Sequence, residues 1–182
     1  MPETTDNIAL IGFMAAGKTT VGRKLATHLG YRYVDIDELI AAQAEMTIPD
    51  IFAAEGEAGF RERERAAVLA ASEERRLVIS CGGGVIRDPL NVVALRRGGR
   101  VVLLAIHPAT AARRLMASPV GRPLIDDFIA ERTYEHVLAR VKMLLRERGP
   151  AYRAAADQIV AVDRRAPAEV VARILSGESD AC

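Results

Sequence analysis

The chain has 182 residues, half of them hydrophobic, and a formal charge of +1. That length suits one domain with a sizeable core, and the near-neutral balance gives no general pull toward nucleic acid or a membrane surface. No apolar run approaches the ~20 residues of a membrane span. The polar start, Met1 to Asn7, is neither signal nor transit peptide, and Cys81 and Cys182 make no disulfide framework, which suits a reducing cytoplasm.

Ile8-Ala9-Leu10-Ile11 predicts a buried strand from about Ile8 to Phe13. Gly12-Phe13-Met14-Ala15-Ala16-Gly17-Lys18-Thr19 follows with the spacing G-x-x-x-x-G-K-[ST], and Val21, Leu25 and Leu29 then recur at helical intervals up to Gly30. Strand, glycine loop and helix in that order form the setting of a phosphate-binding loop. The N–H groups of Ala15, Ala16, Gly17 and Thr20, with the helix dipole behind them, would converge on one anion. Lys18 would reach the β- and γ-phosphates of a nucleoside triphosphate and the Thr19 hydroxyl would hold Mg²⁺.

Tyr33 to Asp37 alternates like a second strand and runs into a helix near Glu38. Thr47 to Phe52 starts another helical piece with Pro49 in its first turn, Gly56 and Gly59 punctuate, and a charged helix is expected from about Phe60 to Arg75. Leu77 to Ser80 predicts a third strand, closed by Gly82-Gly83-Gly84. Asp88-Pro89 caps a helix through Leu95, Gly98-Gly99 turns the chain into a strand from Arg100 to Ile106, and Pro108 opens a helix to about Met116. Ser118 to Pro123 predicts a loop. The stripe Tyr134, Val137, Leu138, Val141, Leu144 and Leu145 predicts a helix from Thr133 to Arg148, before a strand from Gln158 to Val162 and a last helix opened by Pro167.

Alternating strands and helices predict an α/β chain with three layers, a central parallel sheet covered on both faces. One domain spans 1–182, with its core at about 8–176. Ligands in such sheets gather at the carboxyl ends of the strands, where Lys18, Asp35, Asp37 and Gly82 to Gly84 all fall. Asp35 and Asp37 are expected on one side of the same strand; one carboxylate suits the water shell of Mg²⁺, the other an acceptor hydroxyl, although acids also simply favour a helix start.

The run Arg61-Glu62-Arg63-Glu64-Arg65 reads by default as a solvated helix face. Arg61 follows Gly59-Phe60, however, where a fixed guanidinium suits a substrate carboxylate, with Glu64 one turn on to orient it. Gly82 to Gly84 either let backbone N–H groups approach a ligand or form a flexible connection. Arg122, between Gly121 and Pro123, is either a mobile finger onto transferring phosphate or a plain surface arginine. Arg148, ahead of Gly149-Pro150, reads as a cation favoured at a helix end. His28, His107 and His136 form no metal constellation.

Together these residues resemble the shikimate kinases, small P-loop enzymes of the nucleoside-monophosphate-kinase type. The likeness runs from about Ile8 to Leu175 and rests on Gly12 to Thr19, Asp35-Ile36-Asp37, Asp50-Ile51-Phe52, Gly56 to Arg61, Gly82 to Gly84, Arg122-Pro123-Leu124 and Arg148 to Tyr152. It implies γ-phosphoryl transfer from the co-substrate ATP, with Mg²⁺, to the 3-hydroxyl of shikimate, by a cytoplasmic monomer with small-molecule partners. A substrate-binding insertion would span about 36–65 and a lid about 115–128. Asp37 would hold the shikimate hydroxyls and act as base, and Asp35 with Thr19 would support Mg²⁺. Arg61 and Arg148 would clamp the carboxylate, Gly82, Gly83 and Gly84 would bond the ring hydroxyls, and Phe52 and Phe60 would wall the pocket. Arg122 would come from the lid, and Arg114 with the Arg164-Arg165 loop would flank adenine. Ala15 departs from the glycine that many members carry at that loop position. The rival readings are another small-molecule kinase on this scaffold, with a gluconate-like or nucleotide acceptor, and a kinase-like ligand sensor without catalysis.

Overall fold

The strand β1 (Asn7–Ile11) is buried at every position and lies at the centre of a five-stranded sheet. The structure, a computed structural model, describes residues 6–118, 123–129 and 131–180. With β2 (Arg32–Asp35), β3 (Leu77–Ser80), β4 (Gly99–Ala105) and β5 (Gln158–Ala161), the strand order is β2-β3-β1-β4-β5. Every pairing is parallel, and the register sets Asp35 beside Ser80 and Leu10 beside Ser80, so β2, β3 and β1 finish along one edge.

The helices are α1 (Lys18–Leu29), α2 (Ile36–Ala44), α3 (Ile48–Glu73), α4 (Pro89–Gly98), α5 (Pro108–Ala117), α6 (Pro123–Asp126), α7 (Tyr134–Ala155) and α8 (Pro167–Ser176). Successive strand residues face opposite ways, and this splits the core in two. Leu10, Val78, Val102 and Leu104 pack with Leu25, Leu115, Val141 and Val170 of α1, α5, α7 and α8. Ala9, Ile11, Ile79 and Leu103 pack with Ile40, Phe60, Val68 and Leu95 of α2, α3 and α4. Strands covered on both faces are apolar throughout instead of alternating, as Leu77-Val78-Ile79 is.

Three elements differ from expectation, each for a local reason. β2 stops at Asp35, whose carboxylate caps α2 by accepting from the Asp37 N–H at 3.1 Å. Asp37 therefore stands in a helix's first turn and not on the strand, and α2 starts ahead of Glu38. The pieces expected at 47–52 and 60–75 are two helical stretches of α3 that meet at a kink at Gly56 (φ 69°, ψ −174°), as expected there, whereas Gly59 is inside the second stretch and does not interrupt it. The third is α7, which continues past Arg148 through Gly149-Pro150 to Ala155. An interior proline costs ~3 kcal/mol or more, but Tyr152 and Ala155 beyond it are buried in the second core, and their burial holds the last turns. Arg148 is consequently an interior, buried residue of α7 and not its terminal cation. Within the span expected as a lid, α6 is a short helix, while Arg122 lies outside the described residues.

Candidate active site

The loop between β1 and α1 is shaped by contacts that leave little choice of residue. Gly12, at φ 143°, lies so close to β4 that a Cβ would come within 2.6 Å of the Leu104 carbonyl oxygen. Ala15 is left-handed at φ 62°, a conformation that costs an L-residue about 1–2 kcal/mol. Its carbonyl accepts from Arg114 Nη1 at 2.9 Å, which braces the loop from α5. Lys18 Nζ donates to the Gly12 and Phe13 carbonyls at 2.9 and 3.1 Å, so the ammonium stands at the loop's mouth beside the N-terminus of α1. N–H groups, dipole and ammonium make an anion site.

Ala15, Ala16, Gly17, Thr20, Arg114, Ser118, Val162, Arg165 and Pro167 line a cleft of about 380 Å³ directly beside this loop. Arg164, expected there, does not line it. It turns the chain after β5 at φ 58° and is exposed, while Arg165 folds back to donate to the Ala161 carbonyl at 2.7 Å. Of that two-arginine loop, Arg165 is the member that lines the cleft. A larger groove of about 430 Å³ lies between α3 and α4 around Ser72 and Asn91. None of the residues singled out for chemistry lines it, so size alone does not mark the site.

At the end of β2, Asp35 Oδ1 accepts from the Asp37 N–H, and Oδ2 accepts from the Tyr33 hydroxyl at 3.1 Å. Burial raises the pKa of that hydroxyl, while Ser80 and Thr19 beside it act in the opposite direction. Thr19 and Asp35 thus both lie beside Tyr33. A hydroxyl and a carboxylate are hard oxygen donors of the kind Mg²⁺ takes, and Mg²⁺ completes its shell with waters and phosphates. Among the described residues no cluster of three or more His, Cys, Asp or Glu could hold a metal alone.

The acceptor side is assembled on the glycine run after β3, where three successive residues abut three different side chains. A Cβ on Gly82 would lie 2.9 Å from Asp37 Oδ1, one on Gly83 3.5 Å from the Tyr152 hydroxyl, and one on Gly84 2.7 Å from Arg61 Nη1. A side chain at Gly82 or Gly84 would push the Asp37 carboxylate or the Arg61 guanidinium out of these positions. Arg61 donates to Glu64 Oε2 at 2.7 Å; Glu64 is buried, and Arg61 is 25% exposed. Neither belongs to a solvated face. Burial pushes the Glu64 carboxyl above its ordinary value, against the pull of Arg61. Glu57 adds a second carboxylate, 3.4 Å from Arg61 and 2.8 Å from Arg87. The rings of Phe52 and Phe60 stack at 4.6 Å, and Arg61 lies over Phe60.

From α7, the Tyr152 hydroxyl donates to the Gly83 carbonyl at 2.5 Å. Burial pushes its pKa up to about 12, with Arg148 beside it acting in the opposite direction. Arg148 is buried, and its Nε has no hydrogen-bond partner among the described residues. A buried guanidinium with an unmet donor is costly unless an anion completes it. Cys81 is buried and its thiol is pushed up by burial, so it is a packing residue.

A glycine loop with an ammonium at its mouth, the oxygens of Thr19 and Asp35, and a small polar cup with two guanidinium groups therefore share one edge of the sheet. A family model described as shikimate kinase matches residues 14–177. The chain belongs to the shikimate kinase family. It is 42% identical over 170 residues to the shikimate kinase of Symbiobacterium thermophilum, covering 93% of this chain and 94% of that one. The shikimate kinase of Caldanaerobacter subterraneus is 39% identical over 169 residues, with the same coverage. Among solved structures, the shikimate kinase from Acinetobacter baumannii in complex with shikimate superposes with a TM-score of 0.84 at 36% identity, covering 96% of this chain and 93% of that chain.

In this shikimate kinase, Lys18, Asp35, Asp37, Arg61, Gly82 to Gly84 and Arg148 meet at one end of the sheet. Sequence reasoning gave no role to Tyr33, Glu57 or Arg87, and it named the Arg164-Arg165 loop without choosing between its two arginines. It quoted Tyr152 without a role, although the interval from Arg148 is one helical turn once α7 is carried through Pro150. Tyr33 carried a signal as well: it stands two residues before Asp35, and period two puts both on one face of β2.

Proposed function

We propose that this chain transfers the γ-phosphoryl group of ATP to the 3-hydroxyl of shikimate through the residues assembled above. The observation that carries the reading is the glycine run, which sets Asp37, Tyr152 and Arg61 around one cup within reach of the phosphate loop. A small hydroxylated acid matches that cup. Arg61 and Arg148 would take its carboxylate, Arg61 being held in aim by Glu64, and the Asp37 carboxylate would accept hydrogen bonds from its ring hydroxyls. Phe52 and Phe60 supply an apolar wall.

In the transfer, the acceptor oxygen forms a bond to the γ-phosphorus while the bond from that phosphorus to the β–γ bridging oxygen breaks, releasing ADP. The acceptor's proton goes to Asp37, a general-base step worth typically ~10²–10⁴ in rate. Lys18 and the N–H groups from Ala15 to Thr20 neutralise charge gathering on the phosphoryl oxygens. Thr19 and Asp35, both beside the Tyr33 hydroxyl, would hold Mg²⁺, whose charge would offset part of that on the phosphates. Arg114 and Arg165 line the cleft that would take the nucleoside. Arg122 is proposed from the sequence alone as a further cation onto the γ-phosphoryl group.

Two arginines and a carboxylate around the cup match a carboxylate-bearing polyol better than a nucleotide, whose phosphate would need more positive charge. The deciding measurement is ATP consumption with shikimate, gluconate, quinate and a nucleoside monophosphate as acceptors. Turnover is expected with shikimate, and turnover confined to any of the other three would overturn the assignment.

A further inference from the structure

The C-terminal residues after α8 return along the open edge of β5. The Asp180 N–H donates to the Ile159 carbonyl at 2.8 Å, and the Ser179 hydroxyl accepts from the Ile159 N–H at 3.1 Å. The Asp180 carboxylate takes the Ala161 N–H at 2.9 Å, and Gln158 Nε2 reaches back to the Glu178 carbonyl at 2.9 Å. The tail thus satisfies donors and acceptors that an edge strand otherwise leaves open.

More than edge protection is built there. Both carboxylate oxygens of Asp180 engage Arg165, and Oδ1 also accepts from Arg173 Nη2 at 2.7 Å. Bidentate guanidinium–carboxylate pairs fix the plane of the arginine as well as its position. The Asp180 carboxyl is held well below the usual carboxylate range, first by Arg165. Arg165 is the residue of the β5–α8 loop that, with Arg114, lines the cleft beside the phosphate loop. Arg114 is anchored separately, on the Ala15 carbonyl. Each of the two cations on this cleft is held by a partner, one from the phosphate loop and one from the tail. The family match ends at residue 177, before the tail's contacts begin.

We propose that residues 178–180 form a clasp whose working member is Asp180, a positioning residue that immobilises Arg165 in the nucleotide cleft. This rests on the kinase reading only in taking that cleft as the nucleoside's site. An anchored guanidinium costs the incoming nucleotide no further side-chain ordering, whereas a released arginine has to be ordered each time. The clasp acts on nucleotide binding and leaves the acceptor cup alone, because Asp180 and Arg165 touch neither the glycine run nor Asp37.

The test uses the full chain with Asp180→Asn, Asp180→Glu and Glu178→Gln. Calorimetry with ADP alone should show Asp180→Asn binding about three- to tenfold more weakly than the unaltered chain. The KM for ATP should rise by the same factor, with kcat and the KM for shikimate unchanged. Asp180→Glu should recover part of the loss. Glu178→Gln, which removes only a surface pair with Arg173, should bind ADP normally. In the unaltered chain, ADP should slow hydrogen exchange at the Ala161 and Asp180 amides, since coupling between sites is reciprocal. Unchanged ADP affinity in Asp180→Asn overturns the clasp, whether or not the melting temperature falls, and so does exchange at those amides that ignores ADP. If ADP affinity shifts as expected while no acceptor supports turnover, the clasp stands and the kinase reading fails.

Discussion

Tyr152 donates its hydroxyl hydrogen to the Gly83 carbonyl at 2.5 Å, joining the last turns of α7 to the middle of the glycine run. That one bond links the helix carrying Arg148 to the loop lying against Asp37 and Arg61. Tyr152→Phe keeps the buried ring and removes the donor, leaving the Gly83 carbonyl without it. A lost buried partner costs about 1–3 kcal/mol, and for a chain of this size each kcal/mol lowers the melting temperature by about 2–4 °C. The cup would also loosen, so the KM for shikimate should rise several-fold with the KM for ATP unchanged. Steady-state kinetics with each substrate varied in turn checks this. Equal rises in both constants would mean that the bond serves the fold in general and not the cup.

Lys18 should separate chemistry from folding. Its ammonium donates to the Gly12 and Phe13 carbonyls, and it fills no place in either core. Lys18→Met should lower kcat by at least ~10²–10³, while circular dichroism and the melting temperature stay near those of the unaltered chain. A folded variant retaining a tenth of the rate would remove Lys18 from the transferring phosphate.

The pair of Arg61 and Glu64 should give acceptor binding a pH dependence. Burial raises the Glu64 pKa above its ordinary 4.5, with Arg61 as the largest opposing influence. Because the folded value is the higher one, the folded chain binds the proton more readily than the unfolded chain in the window just above 4.5. Fold stability therefore falls as pH rises through that window. Shikimate binding moves the other way, since a protonated Glu64 no longer holds Arg61 with full charge. Calorimetric shikimate titrations from about pH 8 down to 5 should show affinity weakening toward acid. Glu64→Gln should flatten that dependence, and Arg61→Ala should cost about 2–5 kcal/mol at the alkaline end, where the pair is intact, and less toward acid. An identical acid limb in Glu64→Gln would assign the dependence to the substrate.

What the sequence disclosed and what it hid follow from range. The phosphate loop is local: Gly12 to Thr19 carry their spacing, and the flanking apolar runs have distinct periods. β3 and β4 were equally plain, because strands covered on both faces show as continuous apolar runs. Asp37 was found but misplaced, since a strand's alternation and a capped helix start look alike over a few residues; Asp35 as the cap decides it. The end of α7 was misjudged because proline is a strong local breaker, and only burial of Tyr152 in the distant second core outweighs it. Which arginine of the Arg164-Arg165 loop faces the cleft is not legible locally, because the choice depends on Asp180, 15 residues beyond Arg165. The shift of Arg148 from a helix end to a buried interior position has the same origin, and it changes what that residue is expected to do.

Arg148 should show stability given up for function. It is 8% exposed, its Nε is unmet, and the neighbouring Tyr152 hydroxyl is no counter-charge. Burying a guanidinium without an anion is unfavourable, and an apolar side chain of similar volume in such a place is often neutral or stabilising by about 1–4 kcal/mol. Arg148→Met should therefore melt higher than the unaltered chain when no substrate is present. Shikimate should reverse the order. Its carboxylate completes Arg148, and a ligand at about 100 times its Kd adds ~2.7 kcal/mol, equivalent to about 5–11 °C at this chain length. The unaltered chain should show that rise and Arg148→Met should show little of it, whereas ADP should raise both alike because the nucleotide cleft is untouched. Differential scanning fluorimetry with shikimate and ADP added separately reads all of these outcomes. If Arg148→Met melts lower without ligand yet rises fully with shikimate, Arg148 is a structural cation with no part in holding the substrate carboxylate.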